Sequence, residues 1–171
     1  MYKSKEFTRV LTIISILFHL LVGIIVFIIA FQQFEVTPLI LGLLIAVGSL
    51  PHIMLFARDV RKHSFLVIGL VALIFAIIAM ASDLFSVNQV CVIWGAIDIA
   101  RGVTEIIDSA PKIRKEKLEL IEIAVSLGDI VIGILLCLHM EEGLQLHLIY
   151  FGIAFVIISI RYLVGLFLDH D

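Results

Sequence analysis

Residues 88–107 read NQVCVIWGAIDIARGVTEII, a stretch as long and nearly as apolar as a bilayer crossing, yet one that carries Asp98, Arg101 and Glu105. A helix needs about 20 residues to cross the hydrocarbon. Cys91, Trp94, Asp98, Arg101, Glu105 and Asp108 recur at alternating steps of three and four, so they share one helical face. An ionised side chain at mid-membrane costs from about 2.5 kcal/mol upward, so this face cannot look at lipid. It has to look at other helices.

The rest of the chain supplies them. Of its 171 residues 62% are hydrophobic and 16% charged, well away from the half apolar and quarter charged of a water-soluble domain. Six apolar runs, at 10–31, 38–57, 65–81, 88–107, 118–139 and 146–168, leave no length for a soluble domain, so residues 1–171 form a single integral membrane domain. Spanning backbone must satisfy its own hydrogen bonds, in helices or in a closed barrel, and the alternation a barrel strand needs is missing. The expected fold is all-α, a polytopic membrane protein of six transmembrane helices. Three prolines, two cysteines and a net charge of -3 argue against a disordered chain, a disulfide-stapled mini-protein and a nucleic-acid binder. The first run follows Lys3, Lys5 and Arg9 as a secretory signal would, but it is too long and no small-x-small site follows it, so it reads as an uncleaved span.

Loop charge sets the orientation. Arg58, Arg61 and Lys62 lie between the second and third spans and Lys112, Arg114, Lys115 and Lys117 between the fourth and fifth, while 32–37, 82–87 and 140–144 hold no Lys or Arg. The positive-inside bias puts both termini in the cytoplasm.

The fifth span answers the fourth with Lys115, Glu119, Glu122, Ser126, Asp129 and Gly133 on one face. The short loop between the two makes them antiparallel neighbours with facing stripes. Thr8, Thr12, Ser15 and His19 share a face of the first span, Gly42, Ser49, His52 and Asp59 one of the second, and Arg161 comes from the sixth. The third brings only Gly69, Ala72, Ala76 and Ala79. Asp98, Asp129 and His19 fall near mid-membrane, with Arg101, Glu105, Glu122, His52 and Arg161 in the cytoplasmic half. Arg101 has Asp98 and Glu105 within reach on its own helix and Glu122 across the seam, and Arg161 has Glu122 or Asp129. Four embedded carboxylates against two guanidiniums leave an excess of negative charge. A carboxylate without a partner in low dielectric takes up a proton, which predicts one on Asp129, Asp98 or the neighbouring His19.

Gly42, Gly95 and Gly152 are each followed seven residues later by Ser49, Gly102 and Ser159. Two turns apart, such pairs let a second helix come close, and their recurrence suggests three copies of a helical hairpin. They also offer a surface for a second copy or another membrane protein. Cys91 and Cys137 lie near the outer ends of adjacent helices and read as buried free thiols in preference to a bridge. His139, Glu141, Glu142 and His147 surround one loop without a metal-ligand spacing, Pro51 interrupts the second span, and Trp94 reads as packing. With no nucleophile-base set, phosphate loop or HExxH motif, neither an enzyme nor a cofactor is expected.

Trp94-Gly95, Arg101-Gly102-Val103-Thr104-Glu105 and Gly128-Asp129-Ile130-Val131-Ile132-Gly133, with six short spans and basic inner loops, resemble the HdeD-like family of bacterial inner-membrane proteins. The resemblance implies six helices in the cytoplasmic membrane and an association with acid resistance or stress response, without an established reaction. The fourth span departs from the family in carrying more charge. Three readings of function follow: a stress-tolerance protein with a proton-sensitive polar network, a small transporter or channel, and a structural or partner-binding membrane protein.

On the charge pattern, a fluorescent protein fused after Asp171 should fluoresce and alkaline phosphatase fused there should stay inactive. The reverse pattern would overturn the orientation.

Overall fold

The helix boundaries follow from local chemistry at each end. Ser86 stands before the fourth helix with extended backbone, its Oγ accepting from Gln89 N–H at 3.3 Å while Gln89 Oε1 accepts from Ser86 N–H at 2.8 Å, a reciprocal capping box. Thr37 and Pro38 start the second helix, where the Thr37 hydroxyl accepts from Ile40 N–H at 3.4 Å and proline occupies a first-turn position that needs no donor. Gln33 closes the first helix at φ 54°, a left-handed residue after which Phe34 N–H reaches back to the Ile29 carbonyl at 3.2 Å. In the computed structural model, which describes residues 2–58, 63–81, 85–110, 118–138 and 143–168, there are six helices and no strands among the described residues. They are α1 (Tyr2–Gln32), α2 (Pro38–Arg58), α3 (His63–Ala81), α4 (Val87–Ser109), α5 (Leu118–Leu138) and α6 (Leu144–Leu168).

Among the described residues, three helical segments are long and apolar enough to cross a membrane: Arg9–Gln32, Leu120–Leu138 and Leu144–Leu166. The apolar parts of α2 and α3 are shorter, Pro38–Leu50 and Leu66–Ala81. α4 has the length but carries Asp98, Arg101, Glu105 and Asp108. Its polarity is turned inward, for Asp98, Arg101 and Glu105 are buried while Val103 and Ile107 face out. α1, α3 and α5 carry most of the outward aliphatic surface, including Leu17 (61% exposed), Val67 and Val131. A surface of that kind suits hydrocarbon, not water. The chain is a membrane protein.

The helices associate most extensively in three pairs, α2 with α3, α4 with α5 and α6 with α1. Two of the pairs are built alike. A methyl group placed on Gly95 would stand 2.7 Å from the Gly133 carbonyl oxygen, and one on Gly102 would stand 2.6 Å from that of Ser126, so α4 lies with its backbone against α5. In α6, a methyl on Gly152 would meet Phe27 at 3.2 Å and the Gly23 carbonyl at 3.3 Å, and seven residues on Ser159 Oγ donates to the Ile16 carbonyl at 3.1 Å. The α2–α3 pair departs from them. Gly42 abuts Met80 and the Ala76 carbonyl, but Ser49, though buried, donates to Ala46 of its own helix at 2.7 Å, and Gly69 of α3 supplies the second close approach, against Ile53 and His52. The spatial unit is thus an even helix with the odd helix that follows it, and α1 completes the circle behind α6.

The close approach of α4 to α5 generates a prediction. Gly95→Ala or Gly133→Ala forces backbone apart and should lower the thermal unfolding midpoint in detergent, by the roughly 1–3 kcal/mol typical of overpacking. Gly165→Ala, with nothing within 4 Å of the added methyl, should not. Equal midpoints for Gly95→Ala and Gly165→Ala would contradict the packing.

Candidate functional site

The polar faces meet on one carboxylate. Asp129 of α5 accepts through Oδ2 from Arg101 Nε of α4 at 3.3 Å and from Arg161 Nη2 of α6 in a short hydrogen bond, while Arg101 Nη2 stands 3.2 Å from Oδ1 as an ion pair without hydrogen-bond geometry. Arg101 Nη2 also donates to Asp98 Oδ1 at 2.6 Å, three residues back on its own helix. Arg161 lies 3.8 Å from Glu105 and donates to Ser126 Oγ at 3.2 Å. Asp98 and Asp129 are fully buried, and Arg101, Arg161 and Glu105 nearly so. Opposite charges brought this close in a low-dielectric interior are held only if their hydrogen-bonding valences are largely met. Here they are met in part: Asp98 Oδ2, Asp129 Oδ1, Arg101 Nη1, Arg161 Nε and Nη1 and Tyr162 Oη have no hydrogen-bond partner among the described residues.

Beside this chain lies a cluster from the other side of the bundle. His19 of α1, His52 of α2 and Tyr162 of α6 pack with ring centroids 5.3–5.8 Å apart. His19 Nδ1 is 2.7 Å from the Ser15 carbonyl and its Nε2 is 3.1 Å from the Gly48 carbonyl. A neutral imidazole has one N–H and can serve one of these oxygens, whereas the imidazolium serves both. His52 Nδ1 comes within 3.4 Å of the same Gly48 carbonyl. Pro51 lies in this part of α2, where its missing N–H leaves the Val47 carbonyl without its helical donor. Above these groups Trp94 and Phe155 stack with centroids 5.4 Å and planes 2° apart, and Phe151 packs against both. Gly48 makes this possible, since a methyl there would meet the Phe155 ring at 2.9 Å.

The expected site residues are distributed as follows. Asp98, Arg101, Glu105, Asp129 and Arg161 form the continuous chain. His19 and His52 sit next to it, bonded to backbone, and in electrostatic reach of Arg101. Glu122 is only half-buried and accepts from Ser109 Oγ at 3.2 Å. The carboxylate that Arg101 meets across the seam is therefore Asp129 and not Glu122. Gly102 sets the register: it rests on the Ser126 carbonyl, so Arg101 lies level with Asp129, which is two turns of α5 beyond Glu122. The stripe on α4 also ends differently, with Ser109 buried and Asp108 exposed. Alternating steps of three and four average 3.5 residues, and a straight helix of 3.6 drifts off that spacing by about 20° per heptad. Ser109, Tyr162, Gly48 and Phe155 were not anticipated. Ser109 is four residues beyond Glu105, a spacing that could have revealed it, and Tyr162 is seven beyond Phe155 on the inner face of α6.

Other expectations resolve as well. Cys91 and Cys137 are free thiols, with Cys137 Sγ near the Val92 carbonyl. Of the four residues around the fifth loop, His139, Glu141 and Glu142 lie outside the described residues, and His147 is buried on α6. No metal-binding group occurs among the described residues. Thr12 and Ser15 are buried beside His19, while the side chain of Thr8 lies outside the described residues, as do Asp59, Lys115 and the side chain of Glu119.

The stretch bearing most of this chain has a recognisable counterpart. Residues 67–138 match DUF308, a short repeat of unknown function. DUF308 is the family that includes HdeD-like membrane proteins. The match runs through α3, α4 and α5 and so takes in Asp98, Arg101, Glu105, Glu122 and Asp129, leaving Arg161, His19 and His52 outside it. Its description as a short repeat agrees with the α2–α3 and α4–α5 pairs, each an even helix with the odd one after it. No curated protein and no solved structure matches the chain.

Arg101 approaches Asp129 through two nitrogens while holding Asp98 with one of them, a geometry that lysine's single ammonium cannot reproduce. Arg101→Lys should therefore lower the unfolding midpoint well below that of Ser126→Ala, whose single interhelical hydrogen bond is worth about 0.6 kcal/mol. Matching midpoints would show that the guanidinium geometry contributes nothing.

Proposed function

We propose that this chain is a six-span protein of the bacterial cytoplasmic membrane, both termini cytoplasmic, whose buried acid–arginine chain responds to protons and serves tolerance of acid or envelope stress. One observation carries the reading: three buried carboxylates, Asp98, Glu105 and Asp129, share two guanidiniums. One negative charge is left over in a medium that disfavours it. Asp129 is held by both arginines, so the place for the balancing proton is Asp98 or Glu105, each held by one guanidinium, or His19, whose two carbonyl contacts suit the charged ring. Protonating Asp98 loosens its hold on Arg101 and leaves Asp129 to restrain both guanidiniums, which alters how α4 sits against α5 and α6. These groups come from α1, α4, α5 and α6, so a local change of charge acts on several close-packed helices at once. The stress role itself draws on the HdeD-like resemblance; the DUF308 match, to a repeat of unknown function, supports the membrane family and no role.

A second reading, a small transporter or channel for protons, ions or a solute, draws on the unpartnered donors Arg101 Nη1, Arg161 Nη1 and Tyr162 Oη, which a water or a passing solute would satisfy. It requires flux in proteoliposomes that falls on neutralising Asp98 or Arg101. A proton-responsive protein without a conducting role gives none. Catalysis and a cofactor have no place in either reading.

Infrared titration tests the preferred reading. A protonated carboxyl band present at neutral pH should disappear in Asp98→Asn and in Glu105→Gln, each of which removes the excess negative charge. Absence of any such band, together with histidine nitrogen resonances showing a neutral His19, would remove it. In cells, a deletion strain should survive acid shock less well than wild type, and an Asp98→Asn complement should not restore survival. Equal survival of all three would refute the stress role.

A further inference from the structure

We propose that the buried carboxylates exchange protons with one side of the membrane only, the side on which α4 ends and α5 begins; this rests on the proton-responsive reading above. The polar groups are distributed unequally along the bundle. From Asp98 towards that end they follow one another: Arg101 and Asp129, Arg161 and Ser126, then Glu105 at 3.8 Å from Arg161, and further along Glu122 with Ser109. Glu105 is within electrostatic reach of both Glu122 and Asp108. Glu122 is half-buried and Asp108 exposed, so the line reaches the surface there. The atoms without hydrogen-bond partners on Asp98, Arg101, Arg161 and Tyr162 belong to this same region.

In the opposite direction the way is closed. Trp94, Phe151 and Phe155 fill the centre, each at most 2% exposed, with the Trp94 and Phe155 planes parallel. Beyond them come Val90, Leu136 and Leu148, all buried, with the buried Cys91 thiol and the buried His147, a turn outward from Phe151; the unpartnered atoms Trp94 Nε1 and Asn88 Oδ1 on this side are single and not joined into a line. α3 offers no path either, since its buried positions among the described residues are Gly69, Ala72, Phe75, Ala76 and Ala79, with no polar side chain. Among the described residues the charged and imidazole groups facing the carboxylates lie inward of the aromatic layer or level with its inner edge: His19 from α1, His52 from α2, Arg101, Glu105 and Asp108 from α4, Glu122 from α5 and Arg161 from α6, with the Tyr162 hydroxyl beside them; on the outer side only the Cys137 thiol of α5 comes within electrostatic reach of Asp98. A proton enters as hydronium at Glu122, leaves water behind, and is passed through intervening waters and carboxylate oxygens towards Asp98. The stack of Trp94 on Phe155 bars the same transfer from the other face.

The test uses the full chain in sealed membrane vesicles of both orientations, with the lumen strongly buffered and the bath pH stepped. The infrared carboxyl band assigned through Asp98→Asn should respond in inverted vesicles, which expose the cytoplasmic face, and be lost as a response in right-side-out vesicles. Phe155→Ala should let right-side-out vesicles respond as well. Detergent-solubilised protein separates the two ways of failing. A band that titrates in detergent but responds equally from both faces overturns one-sided access and leaves the proton-responsive reading standing; a carboxyl band missing even in detergent overturns carboxylate exchange itself. A wild type that responds from one face but a Phe155→Ala variant that gains nothing overturns the assignment of the seal to this stack.

Discussion

Asp129 is the point on which the bundle depends. Its carboxylate lies on α5 and is held by guanidiniums from α4 and α6, so one residue joins three helices in a medium where none of the three charges could stand alone. Removing it would leave two buried cations facing each other across a few ångströms. The interaction therefore specifies which helices are neighbours and at what height they meet, whatever it contributes to net stability. Aliphatic packing against lipid-like surroundings gives little such direction, because hydrocarbon is as apolar as leucine.

The close helix pairs make that interaction geometrically available. Gly95 against Gly133 and Gly102 against the Ser126 carbonyl bring α4 and α5 into backbone contact, so Arg101 stands level with Asp129. The α6–α1 pair does the equivalent for its side, with Gly152 against Gly23 and Ser159 bonded to the Ile16 carbonyl, and that pair carries both Arg161 and His19. The α2–α3 pair supplies His52 but no carboxylate. Three similar units have thus become chemically different: one is acidic, one bears a cation and a histidine, and one is nearly apolar. The asymmetry gives the centre its excess of carboxylates and its orientation along the membrane normal.

Much of this was legible in the sequence because the two relevant periodicities are strong. The alternating three-and-four steps from Cys91 to Glu105 placed the polar face of α4 correctly, and the seven-residue recurrence of small residues marked the even helices as close-packing elements. The register between helices was not legible. Whether Arg101 meets Glu122 or Asp129 depends on a vertical offset of about two turns, and the Gly102–Ser126 contact that sets it involves a backbone carbonyl, which leaves no trace in side-chain pattern. Ser49 shows the same limit from the other direction: its spacing from Gly42 matches the other copies, yet its hydroxyl turns back to Ala46. Tyr162 and Phe155 read as ordinary aromatic residues of an apolar span, and only the meeting of α6 with α1, α2 and α4 gives them a place beside ionised groups.

The sharing of Asp129 is most directly measured by a double-mutant cycle on Asp129→Asn and Arg161→Met in lipid bicelles. If the two residues hold each other in the dry centre, the double variant should unfold at a free energy clearly higher than the sum of the two single losses allows, because the second substitution removes a charge that the first had stranded. Strict additivity of the two losses would contradict a direct buried pair and with it the joining of α5 to α6.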